Sequence, residues 1–123
     1  MKLEDKKVLV EIKGVNTSIK REYVSQTQRH IEDAAKLEGV EDDDMSKKFK
    51  GLLIINPYDK ISIQEKTKRE FYNKTVIEDI KYYDICVIDT ISLLSMFQKY
   101  KNGEDVNLEE IIYNKNYIGT DFS

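Results

Sequence analysis

One stretch constrains this chain more than any other: Val8-Leu9-Val10-Glu11-Ile12-Lys13, closed by Gly14. Its aliphatic, partly β-branched residues favour extended backbone. A strand alternates its faces with period two. Val8, Val10 and Ile12 therefore form one purely aliphatic face, while Leu9, Glu11 and Lys13 point the other way. The aliphatic face must be covered, so the strand belongs to a layered sheet. The other face brings a carboxylate and an ammonium to the side of a core, where an unpaired charge is costly. An acid and a lysine at this spacing suit a divalent cation and the oxyanion it activates.

The remaining pattern alternates strands with helices. Ile19, Tyr23, Thr27, His30, Ile31, Ala34 and Leu37 recur at spacings of three and four, which predicts a helix over 19–37. Ser18 is its expected N-cap and Gly39 its terminator. The acidic run Glu41-Asp42-Asp43-Asp44 reads as a solvated connector. Gly51 to Asn56 is apolar on both faces, the mark of an internal strand, and Asn56-Pro57 ends it. Residues 58–68 read as an ordered loop. A helix is expected over 69–82, with Tyr72, Val76, Ile80 and Tyr83 in register. Asp84 to Asp89 forms a third strand. Ser92 is expected to cap a helix that packs Leu93, Leu94, Phe97 and Tyr100 and stops at Gly103. Asn107 opens a last helix over 108–113.

Size and charge narrow the classes. The 123 residues make one domain over 1–123, with 114–123 as a loosely held tail. No apolar run approaches the roughly 20 residues of a membrane span, and the start lacks a signal-peptide core. The expected compartment is the cytoplasm, with no membrane partner. The single cysteine, Cys86, sits in an apolar strand and reads as a core residue. A net charge of −3 argues against generic coating of nucleic acid. Lys20, Arg21, Arg29, Lys66, Lys68 and Arg69 can approach phosphates, but Glu22, Glu65 and Glu70 interrupt them.

The ordered set Val8 to Gly14, Gln26, His30, Gly51 to Asn56, and Arg69 with Phe71 resembles the restriction-endonuclease-like PD-(D/E)xK nuclease superfamily. The resemblance runs from Lys7 to about Asn102. It implies an α/β, three-layer restriction-endonuclease-like sheet flanked by helices. That family's core is a helix, a hairpin of strands, the Glu-x-Lys strand, a helix and a further strand, with a catalytic Asp on the strand before Glu-x-Lys. Here the first strands and that Asp are missing, so the fold is expected to be N-terminally truncated and the chain a piece of a longer protein. Asp5 does not substitute: along one continuous strand it lies roughly 20 Å from Glu11. A tight turn around residues 5–7 would instead put Lys2 opposite Glu11.

The resemblance assigns roles. Glu11 would be a carboxylate ligand of Mg²⁺ and Ile12 a backbone-carbonyl ligand. Lys13 would hold the attacking water or the charged transition state, and Gln26 would orient Lys13 or the water. His30, one turn from Gln26, reads as a hydrogen-bonded residue at a helix–sheet seam. The implied function is Mg²⁺-dependent hydrolysis of DNA phosphodiesters in the intact protein, with this chain alone inactive. The alternative is a catalytically inactive interaction or dimerisation module of a multidomain defence or signalling protein. A plain nucleotide- or phosphate-binding α/β domain is disfavoured, because no Gly-rich phosphate loop follows any strand. An apolar edge strand needs a neighbour, which predicts a homodimer.

Overall fold

The computed structural model describes residues 2–3, 6–114 and 116–118. In chain order the elements are β1 (Lys2–Leu3), β2 (Lys6–Gly14), α1 (Arg21–Leu37), α2 (Asp42–Lys48), β3 (Phe49–Asn56), α3 (Ile63–Lys66), α4 (Lys74–Tyr83), β4 (Cys86–Asp89), α5 (Thr90–Lys101), α6 (Leu108–Asn114) and β5 (Tyr117–Ile118). The sheet order is β1-β2-β3-β4-β5. β2, β3, β4 and β5 are parallel, and β1 pairs antiparallel with the start of β2 alone, Lys2 opposite Lys7 and Leu3 opposite Lys6.

This topology corrects the expected fold class. A restriction-endonuclease-like sheet is mixed, with an antiparallel hairpin leading into the Glu-x-Lys strand. The sheet found here is a parallel α/β sheet with a two-residue antiparallel strand at one edge. Strands β2, β3 and β4 are each joined by a helical crossover, as parallel neighbours require. Period-two alternation identifies a strand such as β2 but not the direction of its neighbours, whereas the both-face apolar pattern of β3 fits the parallel pairing found.

The helices cover both faces. Val24, Ile31 and Ala35 of α1 and Val76 and Ile80 of α4 pack on Phe49, Leu53, Ile55 and Val87. Met96 of α5 and Ile111 and Ile112 of α6 pack on Val8, Leu52, Cys86, Ile88 and Ile118. A fully buried Leu or Ile contributes roughly 1.5–3 kcal/mol, so β3 and β4, apolar on both sides, anchor the domain. Gly51 lets α1 sit close to β3: a Cβ there would fall 2.6 Å from Ile31 Cδ1.

Several boundaries differ from the pattern-based expectation, each for a tertiary reason. Helix α1 starts at Arg21, and its N-cap is Lys20 rather than Ser18. Ile19 is buried and its N–H donates to Phe71 O at 2.7 Å, so the chain there is tied to a loop. The same bond keeps Phe71 out of the next helix, which begins only at Lys74, with Asn73 Oδ1 accepting from Val76 N. The acidic run enters α2, its aspartates in the first turn and Lys47 and Lys48 in the last, matching the helix dipole. Asp89, not Ser92, caps α5. That helix buries Ser92 and Met96 and leaves Leu94, Phe97 and Tyr100 exposed. Within the stretch read as a tail, Tyr117–Ile118 pair with β4, and residues 119–123 lie outside the described ones. No described helix is long and apolar enough to cross a membrane.

Candidate functional site

Helix α1 returns antiparallel to β2, and alternate β2 side chains meet it in sequence. Lys13 Nζ donates to Gln26 Oε1 near the helix start. Glu11 Oε1 contacts His30 Nδ1, and Thr27 Oγ1 lies 3.2 Å from Glu11 Oε2. Lys7 pairs with Glu38 beyond the helix end. Leu9 packs into the apolar core between them. The period of two on the strand and of three to four on the helix together produce this ladder.

Glu11, Lys13 and Gln26 are therefore brought together at one end of the β2–α1 seam. The Glu11 side chain is 15% exposed and that of His30 48%. Thr27 Oγ1 is also 3.1 Å from Tyr23 O, so its one proton serves either the carboxylate or the helix carbonyl. Lys13 Nζ stands 5.5 Å from the centre of the Tyr23 ring, a cation–π contact that fixes the ammonium beside Gln26. Thr27 and Tyr23 fell in the buried stripe of the sequence pattern, and nothing in that pattern marked them as partners of Glu11 and Lys13. The Ile12 side chain projects to the opposite face and is 78% exposed. Arg21, among the cations expected to approach phosphate, is instead held by Asp79 at 2.7 Å.

The outer edge of β2 is open along Leu9–Gly14, since among the described residues only β1 lies on that side and it reaches no further than Lys7. Lys2 faces Lys7 rather than Glu11, and Asp5 lies outside the described residues. On the face away from α1, burial declines from Val8 at 3% to Val10 at 38% and Ile12 at 78%. The edge is thus apolar on one side and polar on the other.

The donor set does not complete a Mg²⁺ site. Both Glu11 oxygens are already in contact with α1 side chains, one with Thr27 Oγ1 and one with His30 Nδ1. Among the described residues no group of three His, Cys, Asp or Glu stands close enough to hold a metal. Mg²⁺ takes its ligands in near-octahedral oxygen geometry, and one engaged carboxylate falls short of that.

Two buried groups elsewhere have perturbed protonation. Burial pushes the Cys86 thiol up to about 12, so it stays an inert core residue. Burial also raises the Asp89 carboxyl above the ordinary carboxylate range, opposed in part by hydrogen bonds from Ser92 and Tyr117. Comparison with family models, curated proteins and solved structures finds no match to this chain.

Proposed function

We propose that this chain contributes one half of a nuclease-like site that hydrolyses DNA phosphodiesters, with Glu11 and Lys13 as its chemical groups and Gln26 positioning Lys13. The observation carrying the reading is the shared face of Glu11 and Lys13 beside an open strand edge, with Gln26 bonded to the lysine. A fixed ammonium there can neutralise charge developing on phosphate oxygens, and preorganised charge of this kind usually does most to lower such barriers. Glu11 in contact with His30 can accept a proton from attacking water and pass it on. A strand laid along Leu9–Gly14 is the natural carrier of the further carboxylates that a Mg²⁺-dependent reaction needs. The chain by itself is inactive or nearly so, and the buried free thiol suits the reducing cytoplasm.

One feature favours a second reading, a non-catalytic interaction module. Lys7, Glu11 and Lys13 are each matched by a partner on or just beyond α1, as latches of a helix–strand seam would be. The open edge of β2, apolar on one side, would then serve to add a partner strand. Supercoiled plasmid incubated with the chain and Mg²⁺ or Mn²⁺, beside Lys13→Ala, tests the nuclease reading. The nuclease reading expects at most trace nicking that disappears in the variant. Nicking unaffected by Lys13→Ala contradicts it.

A further inference from the structure

The carboxyl ends of β3 and β4 hold a second polar cluster, separate from Glu11 and Lys13. After β3 the chain leaves toward α4 on one face of the sheet; after β4 it leaves toward α5 on the other. Adjacent parallel strands whose connections part to opposite faces open a crevice at their carboxyl ends, the usual ligand position in open α/β sheets. Asn56 ends β3 there, and Asp89 and Thr90 end β4 and begin α5.

Lys66 of α3 reaches into this crevice. It is 4% exposed, and its Nζ donates to Asn56 Oδ1 at 2.8 Å. Thr90 Oγ1 donates to the same oxygen, also at 2.8 Å. The acceptor is neutral, and Lys66 makes no ion pair among the described residues. The other buried lysine, Lys50, is built differently: its ammonium is paired with Asp84 Oδ1 at 2.9 Å and Asp84 O at 2.7 Å. Asp89 does not supply the missing charge. Its oxygens accept from Ser92 N, Ser92 Oγ and Tyr117 OH. Among the described residues this buried ammonium, with three donors, therefore has one neutral acceptor.

We infer that Lys66 and Asn56, its amide oriented by Thr90, form an oxyanion site that takes one phosphate group, free or at the end of a ligand. With its oxygen occupied by two donors, the Asn56 amide keeps its NH₂ as a further donor. Asn56 and Thr90 are half-buried, and Lys66 is buried. A terminal phosphate is the oxyanion expected to reach so enclosed a cation, since an internal diester carries a nucleoside on each side. The site does not depend on the roles given to Glu11 and Lys13.

The test is a titration of the full chain with inorganic phosphate against sodium chloride of matched ionic strength, followed by amide shifts and thermal unfolding. Phosphate should move Asn56, Thr90 and Ile91 and raise Tm. Lys66→Met should weaken phosphate binding at least about tenfold, the loss of one charge-assisted contact, while keeping or raising Tm in chloride. A short oligothymidylate bearing a 5′-phosphate should displace inorganic phosphate, and its unphosphorylated form should not. Shifts confined to exposed lysines, equal displacement of inorganic phosphate by both oligonucleotides, or phosphate binding that survives Lys66→Met would overturn the assignment. If Lys66→Met fails to fold, the wild-type shift pattern and the oligonucleotide pair still decide: absence of movement at Asn56 and Thr90 refutes the site.

Discussion

Gly51→Ala probes the contact that seats α1 on the sheet and so aligns Gln26, Thr27 and His30 with β2. The new Cβ would fall 2.6 Å from Ile31 Cδ1, while its next neighbours, Ile85 Cγ1 at 3.4 Å and Thr27 Cγ2 at 3.5 Å, are at near-ordinary distances. One methyl at the end of a side chain must therefore move. Overpacking of this kind costs about 1–3 kcal/mol. Restricting the unfolded chain returns roughly 0.4–1 kcal/mol. The net expectation is a loss of about 1–2 kcal/mol. With a urea slope near the low end of about 1–3 kcal/mol per molar, the midpoint drops by about 1 M. Ile31→Val removes the one clashing atom and alone costs about 0.5–1.5 kcal/mol. The double variant should be more stable than the sum of the singles predicts, by about 1 kcal/mol or more. A neutral or stabilising Gly51→Ala, or strict additivity in the double variant, would refute the idea that this contact sets the α1–β3 spacing.

The buried Asp89 makes stability depend on pH in a defined direction. Burial raises its folded carboxyl above the ordinary value of 3.8, so the native state holds that proton more tightly than the unfolded chain. Its contribution is fully present below the ordinary value and is lost as pH rises through the raised one. Asp89→Asn keeps an acceptor for Ser92 N and should flatten this slope, with urea midpoints across acid pH as the check. The open β2 edge predicts self-association through pairing of Leu9–Gly14 with a second copy. Ile12→Glu, on the exposed apolar side, should shift light-scattering mass toward the monomer, and a wild-type monomer at high concentration counts against the idea.

What could be read from the sequence were the elements whose patterns are local. The strand carrying Glu11 and Lys13, the long helix with its Gln26 and His30, and the doubly apolar strand ending at Asn56 all lie where their periodicities put them. Strand direction did not follow from the alternation of β2, which is the same for parallel and antiparallel pairing, and the expected mixed sheet was wrong. Helix starts were displaced where a distant backbone bond intervened, as between Ile19 and Phe71. In α5, apolar residues ring the helix, so the buried stripe through Ser92 and Met96 was not distinguishable from one through Leu94 and Phe97. At the site, the sharing of a face by Glu11 and Lys13 was legible. The Thr27 and Tyr23 contacts were not, since a threonine or tyrosine in a buried stripe looks like core. The Lys66–Asn56–Thr90 cluster joins three distant segments and has no local signature.

The nuclease reading requires that Lys13, held by Gln26, meet a DNA phosphate. The side-chain amide of Gln26 reports on this contact, because its oxygen accepts from Lys13 Nζ. Two-dimensional amide spectra recorded while a short DNA duplex is titrated at low salt should show the Gln26 side-chain pair and the Lys13 and Gly14 backbone amides moving together. The shifts should shrink as salt rises and vanish in Lys13→Met. A duplex that leaves Gln26 unmoved, or moves it equally in Lys13→Met, would contradict the reading and leave the Glu11–Lys13 face as a latch of the β2–α1 seam.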